Sequence, residues 1–523
     1  MAKKTNARPP KGTRDFLPDD VQRREFVTRV IRDVYGAHGF LPLETPAFER
    51  LDALLGKYGD EGDQLVFKIL HRGQPLVEGV RAAHAHIEAP GGIVVGRSGE
   101  TAPAAETMLA DMGLRYDLTV PLARVYAEYQ GKLPAVFKRY QIQPVWRADT
   151  PGKGRFREFY QCDVDIVGAS SLSVEVEVVG AVAECLRRLG FDDFKIRLND
   201  RRLLRALVDR AGIDPALETA AIVAIDKLDK VGPDGVAREL EAHGIGEDAR
   251  SRLLAMVLGD DVSLATLRER LTDVDVRANV DVNGSGSGNG SDNGNGDGGA
   301  GDHDGRVGHA GHDGRAEGLA AIADLEQILA WAAHTPAAGH LMFSPTLARG
   351  LGYYTGAIFE IAVADLAGSL GGGGRYDGLI GTFLGRDVPA CGFSIGLERI
   401  LVVMEERGMF PGDTASIDVL LGAEAGVDEA LALEVAYDLR AEGLRVDLQP
   451  GSVKSAKLRK AADERGIPAA ATIAGSSPHD VSLWFKAEPD VRSRAVERSR
   501  VVAEICSVLK ATGPSRSGAP VVP

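Results

Sequence analysis

The chain has 523 residues, 44% of them apolar, with 61 Lys and Arg against 75 Asp and Glu for a net charge of −14. That length admits several folded cores without disulfide or metal staples, and the composition excludes a wholly disordered or fibrous chain. The negative balance excludes a general attraction to polyanions, so any nucleic-acid contact must use a local basic surface.

The start, MAKKTNARPPKGTRDF, is basic but has no apolar run, so it does not read as a secretory signal. Helical periodicity from Val21 to His38 ends at Gly39, a residue suited to a helix stop. Farther along, an apolar strand ending at Arg147, a Pro-Gly-Lys-Gly turn and an alternating run from Phe159 to Val167 predict a hairpin. Alternation puts Tyr160, Cys162, Val164 and Ile166 on one face of the second strand, with Gln161, Asp163 and Asp165 on the other. Leu203 to Gly259 reads as mostly helical.

The composition then breaks. Of the 35 residues from Asp281 to Arg315, 13 are Gly, which predicts a flexible linker or surface loop. Asp281, Asn283 and Ser285 imitate the start of a calcium loop, and His303, His309 and His312 are potential metal ligands. A solvated linker explains both better, and no metal site is expected. Ala357 to Val363 predicts a strand, and Gly371 to Gly374 lacks the spacing of a phosphate or dinucleotide loop. After a second break at Gly408 to Ser416, helix and strand alternate, predicting a small α/β domain with a mainly parallel sheet. No run approaches 18 apolar residues, and the four cysteines form no CxxC pair, which fits a reducing cytoplasm.

Polar residues with chemical potential concentrate in LRYDLTVPLA (Leu114 to Ala123), in the hairpin, in LARGLGYYTGAIFEI (Leu347 to Ile361) and in Gly371 to Ile400. Arginines 147, 155 and 157 around a turn offer planar forks to phosphate, and Phe159 offers a face on which a base can stack. Taken singly, each of these residues is better read as solvated surface. Together they shift the balance, because carboxylates on a strand shared with Cys and Val are costly to bury without a partner or ligand. The residues alone therefore point to a phosphorylated or nucleotide ligand bound beside a polar small molecule.

A resemblance carries this further. GFLPLETP, then WRAD with GRFREF, then GFSIGLERI resemble motifs 1, 2 and 3 of class II aminoacyl-tRNA synthetases. RGLGYYTGAIFE and GGGRYDGLIG are similar to the two stretches peculiar to the histidyl-tRNA synthetase family. LRYDLTVPLAR with REFYQCDVDI, and NDRRLLRAL with AIDKLDKVG, look like its eukaryotic-type branch. The resemblance runs from about Pro10 to about Lys510, leaving out the Gly-rich run and Gly73 to Asp111.

The resemblance implies an α+β fold whose catalytic core is an antiparallel sheet flanked by helices, in two parts at 1–197 and 340–412. It also implies a helical insertion at 198–339, an anticodon-binding α/β domain at 416–512 and a tail at 513–523. The activity implied is ligation of L-histidine to tRNA(His), with ATP and its accompanying Mg2+, in a cytoplasmic homodimer formed through motif 1 around Pro46. Arg147 and Arg349 match the catalytic arginines of the family. Asp165 and Tyr354 match the groups for the two imidazole nitrogens, and Asp117, Leu118, Thr119 and Gln161 match those for the α-amino end, with Tyr353 half structural. Histidine contacts also fall to Arg147 and Arg349, and ATP contacts to Arg147, Arg155, Phe159 and Arg399. Gly352 departs from the family pattern, which has Asp there, and the turn TPGKGR is shorter than in the eukaryotic-type branch. One alternative is a regulatory relative without ligase activity, but such relatives lack the last domain; another is a tRNA-binding or scaffolding module with a dead site.

Removing residues 281–315 is expected to leave the melting temperature and histidine-dependent ATP–pyrophosphate exchange nearly unchanged, because that composition cannot form a packed core. A large loss of either would show that the segment is structural.

Overall fold

The computed structural model describes residues 6–88, 108–259, 261–273, 314–348, 352–366, 368–411, 417–474, 481–488 and 493–512. Its contacts divide the chain into two compact units, Met1–Asp15 with Arg24–Met409, and Phe16–Arg23 with Phe410–Pro523.

The first unit is built on an eight-stranded sheet. Its strands are β1 (Leu41–Pro42), β2 (Phe137–Trp146), β3 (Glu158–Val167), β4 (Lys195–Asp200), β5 (Leu341–Phe343), β6 (Ala357–Ala362), β7 (Gly371–Arg375) and β8 (Ala390–Gly396). They lie in the order β1-β2-β3-β8-β7-β6-β4-β5. The inner pairings are antiparallel, and the edge strands β1 and β5 join in parallel. The fold is thus α+β, with an antiparallel sheet flanked by helices.

The expected hairpin is β2–β3, with the turn closed by a bridge between Gly152 and Arg155. Helix α1 (Pro18–Ala37) buries Val27, Ile31, Val34 and Tyr35, spacings that fall on one helical face. The chain leaves it through Gly39 at φ +76°, as the glycine stop predicts. Helices α2 (Thr119–Tyr129), α3 (Ser173–Arg188) and α4 (Leu397–Glu406) lie in this unit, as does α1 from Arg24 onward.

The run Gly371–Gly374, read as neither a phosphate nor a dinucleotide loop, is the greater part of strand β7. A Cβ at Gly373 would lie 2.2 Å from the carbonyl oxygen of Gly392, so side chains are excluded by close backbone approach. Gly314 and Arg315, assigned to the Gly-rich run, open the helix Gly314–Ala332, which buries Gly318, Ala321, Ile322, Leu325, Ile328 and Ala332. Residues 281–313 lie outside the described residues.

The second unit has strands β9 (Val419–Ala423), β10 (Val446–Ser452), β11 (Ala469–Ile473), β12 (Val481–Phe485) and β13 (Arg494–Val496), in the order β10-β9-β11-β12-β13. Its helices are α5 (Glu429–Ala441), α6 (Ser455–Glu464) and α7 (Arg498–Thr512). Only the β9–β10 and β9–β11 pairings are parallel; β12 and β13 add antiparallel. The sheet is therefore mixed rather than mainly parallel. The segment between Ile473 and Val481 is too short for the helical crossover that a parallel neighbour would need.

Candidate functional site

The site is built on one face of the β2–β3–β8 layer. Across β2 and β3, Arg139 stands opposite Asp165, Gln141 opposite Asp163 and Gln143 opposite Gln161; across β3 and β8, Gly392 faces Asp165 and Ser394 faces Asp163. Residues two apart share a face, so this register lays a continuous polar strip inside an otherwise apolar sheet. Gln161 Nε2 donates to Ser394 Oγ at 2.5 Å, leaving Gln161 Oε1 buried with no donor. Asp165 accepts from the Tyr376 hydroxyl on Oδ1. Its Oδ2 lies 2.8 Å from Arg139 Nη2 in an ion pair that lacks hydrogen-bond alignment, so that oxygen too retains an open acceptor direction.

Glycines make the room. Gly374 on β7 and Gly392 on β8 are direct cross-strand partners. A Cβ on Gly392 would fall 1.9 Å from Asp165 Oδ1, and one on Gly374 would fall 2.9 Å from Tyr354 Cδ1. The carboxylate of Asp165 and the ring of Tyr354 therefore rest over adjacent glycines, two of the groups expected to read a side chain brought side by side. The end of β7 is anchored by Arg375, which donates to Glu175 of α3 from Nε at 2.6 Å and Nη2 at 2.8 Å.

A second cluster closes around Asp117, just ahead of α2. Its carboxylate accepts from Val120 N–H, Tyr58 Oη and Tyr353 Oη, each at 3.1 Å. A carboxylate in the first turn of a helix is favoured by the exposed N–H groups there. Leu118 is fully buried and contributes its carbonyl, which accepts from Arg139 Nη2 at 3.1 Å. Thr119 faces the Tyr353 phenol, and Tyr353 packs edge-on against Tyr354 with centroids 5.0 Å apart.

Arg147, at the end of β2, donates from Nε to the Tyr116 carbonyl at 3.1 Å, and its guanidinium lies 4.1 Å above the Tyr116 ring and 5.2 Å from the centre of Phe159. Arg399 reaches the carbonyls of Ser369 and Gly154, the latter in the hairpin turn. Beside it, Glu398 accepts from the Tyr160 N–H at 2.9 Å, which ties α4 to the strand carrying Phe159. Arg155 is more exposed and pairs with Asp149 at 2.7 Å. Arg349 lies outside the described residues.

Burial dominates the electrostatics. It raises Asp117, Asp163 and Asp165 above the usual carboxylate range, against the opposing pull of Arg147 on the first and Arg139 on the other two. Burial also lifts Tyr353, Tyr354 and Tyr376, which stay protonated as donors. Asp163 is pushed up to about 7. Because its folded value exceeds the unfolded one, the stability gained by keeping its proton is full below about pH 4 and lost as pH rises through about 7. Asp163→Asn is therefore expected to raise the melting temperature at pH 8, by an amount equivalent to on the order of 1–3 kcal/mol, and to change it little at pH 5. Equal effects at both pH values would show that Asp163 does not titrate in this range.

Sequence reasoning left Tyr58, Arg139 and Tyr376 without a role. Tyr376 stood inside a quoted segment, and Arg139 was an arginine in an apolar strand, a signal that register alone makes readable. Tyr58 carried no signal in the sequence.

A crystal structure of histidyl-tRNA synthetase from Nostoc sp. PCC 7120 superposes with TM-score 0.68 at 25% identity, over 97% of this chain and 100% of that one. The fold is that of a class II aminoacyl-tRNA synthetase core. The sequence profile described as histidyl-tRNA synthetase matches residues 12–83, 106–281 and 309–400, which leaves only 84–105 unmatched within the Gly73 to Asp111 stretch set aside above. The histidine–tRNA ligase of Christiangramia forsetii is 38% identical over 88% of this chain and 90% of its own length. That of Leifsonia xyli subsp. xyli is 40% identical over 88% and 93%. The chain belongs to the histidyl-tRNA synthetase family.

Proposed function

We propose that histidine–tRNA ligation by this chain takes place over the Gly374–Gly392 floor, between the Asp117 cluster and the β2–β3 hairpin. The observation that carries this placement is the pair of buried oxygens on which no hydrogen bond is aligned, Gln161 Oε1 and Asp165 Oδ2, set beside protonated phenols and the half-buried Arg147. A ligand with an ammonium group, an imidazole N–H and a carboxylate complements that arrangement. Asp117, the Leu118 backbone, Thr119 and Gln161 hold the α-amino end, Asp165 and Tyr354 take the imidazole nitrogens, and Tyr353 braces Asp117.

In the first step a histidine carboxylate oxygen attacks the α-phosphorus of ATP; the Pα–O bond to the β-phosphate breaks and pyrophosphate leaves. In the second, a 3′-terminal ribose hydroxyl of tRNA(His) attacks the activated carbonyl and AMP departs. Neither step needs a covalent enzyme intermediate, so positioning and charge stabilisation supply the catalysis. Arg147 bridges carboxylate and α-phosphate, and Arg349 adds a second fixed positive charge. Phe159 and Arg399 hold the adenine, with Arg155 toward the outer phosphates. The Mg2+ that travels with ATP belongs to the substrate.

The remaining readings have separate supports. Leu41 and Phe48, flanking the motif 1 proline, are 55% and 51% exposed, apolar surface that a second copy would cover in a homodimer. Residues 198–339 serve as the acceptor-arm insertion and 416–512 as the anticodon-binding domain, where the exposed Lys454, Lys457 and Lys460 at α6 supply the local basic surface an acidic chain needs. A cytoplasmic location fits the four free cysteines, and no helix among the described residues is long and apolar enough to cross a membrane.

Histidine-dependent ATP–pyrophosphate exchange, followed by charging of tRNA(His), tests the proposal. Exchange stimulated by histidine alone among the amino acids is the expected result. Absence of exchange in folded protein would instead favour a regulatory, non-ligating relative.

A further inference from the structure

Arg139 has a burial that structural duty alone explains poorly. It is 0% exposed, the third residue of β2, and its Nε is buried with no acceptor. A guanidinium with an unpaired N–H in a sheet interior is costly, and a buried ion pair stabilises no more on average than an apolar replacement of similar volume. What Arg139 does touch is informative. Nη2 lies 2.8 Å from Asp165 Oδ2 and 3.9 Å from Asp163 Oδ2, and the same nitrogen donates to the Leu118 carbonyl at 3.1 Å, while Nη1 donates to Gln141 at 3.3 Å. One nitrogen thus joins Asp165 to the turn that carries Asp117 and Thr119.

We propose that Arg139 is a positioning residue for histidine specificity, keeping Asp165 a charged, correctly turned acceptor for the imidazole N–H and fixing its distance from the Asp117–Thr119 turn. This rests on the histidine site placed above.

The chemistry is as follows. Asp163 and Asp165 share a face two residues apart, and burial pushes both toward the protonated form. Only an ionised carboxylate is purely an acceptor; a protonated one also donates, and so discriminates poorly between an imidazole N–H and other groups. Arg139 is more than 1 Å closer to Asp165 than to Asp163, which biases the charge onto Asp165. The Tyr376 hydroxyl occupies the other oxygen of Asp165, so rotation of the carboxylate is blocked from both sides. The guanidinium thereby sets both the charge and the direction of the acceptor without touching substrate.

The test uses the full chain carrying R139M and R139K, with exchange measured while histidine and ATP are varied separately. Exchange with 3-(2-thienyl)alanine, a ring of similar shape without an N–H, serves as the comparison. R139M is expected to raise KM for histidine about 30- to 100-fold, with KM for ATP within about 3-fold. The histidine-over-thienylalanine ratio of kcat/KM should fall at least about 10-fold. R139K should raise KM for histidine only about 3- to 10-fold, since an ammonium restores the charge but not the separate Nη1 bond to Gln141 that helps fix the fork.

A structural role alone would lower kcat for both amino acids alike and leave KM and the ratio unchanged, and that outcome would overturn the proposal. If R139M does not fold, R139K decides: a raised histidine KM with parental ATP KM supports the role, and a parental histidine KM sinks it. Loss of histidine dependence in the parental chain itself would overturn the placement of the histidine site rather than the role of Arg139.

Discussion

Arg147→Ala is expected to slow histidine-dependent pyrophosphate exchange by on the order of 10²–10³-fold, with a smaller effect on KM for ATP. The guanidinium is already held in place by the Tyr116 carbonyl at 3.1 Å and by the Tyr116 ring beneath it, so in the role proposed for it no reorganisation is needed to meet charge developing on the α-phosphate. The position at the end of β2 places it where the hairpin opens, half-buried, with its interactions with charge weakly screened. Arg147→Lys should recover only part of the rate, because a point charge cannot bridge two acceptors as a planar fork can. Exchange kinetics with both substrates varied settle the matter: a rate within about 3-fold of parental would remove Arg147 from the chemistry. Arg349→Ala is expected to cost a similar factor, on the order of 10²–10³, with a smaller effect on histidine affinity.

Asp165→Ala should weaken histidine recognition by about 2–4 kcal/mol, leaving ATP binding little changed. The structure adds a second consequence. Removing the carboxylate strands Arg139 as a buried cation and takes the acceptor from Tyr376, a class of change that costs about 3–5 kcal/mol of stability. Asp165→Asn keeps an oxygen for the Tyr376 hydroxyl and nearly the same volume, so its melting temperature should fall less than that of the alanine variant. Its KM for histidine should still rise at least about 10-fold, because the charge is gone. Thermal melts and steady-state exchange on the two variants separate the effects. A parental histidine KM in folded Asp165→Asn would show that this carboxylate does not read the imidazole.

Much of the fold was legible from pattern alone. The helix ending before Gly39, the hairpin from β2 to β3 and the strand at Ala357–Ala362 all follow from periodicity and turn residues, which are local properties. The alternation along β3 likewise put Gln161, Asp163 and Asp165 on one face before any neighbour was known. These are short-range facts, because side-chain direction repeats every two residues whatever packs outside.

Motif order carried the class of protein, and with it the residues worth watching. What the sequence could not supply was which strands lie beside which. Gly371–Gly374 had no local meaning, yet beside β8 it becomes the floor that admits Asp165 and Tyr354, because a Cβ at either glycine would occupy their space. Arg139 became a partner of Asp165 only through the β2–β3 register, and Tyr58 and Tyr353 converge on Asp117 from segments far apart in the chain. The second unit's sheet shows the same division: its helices and strands were readable one by one, but the antiparallel addition of β12 and β13 depended on a short connection. The sequence by itself determined the elements, their faces and the chemical inventory, since these depend on residues a few positions apart. Tertiary structure decided the glycine floor, the buried ion pair and the shared carboxylate cluster, since each exists only where strands distant in sequence approach within van der Waals or hydrogen-bond distance.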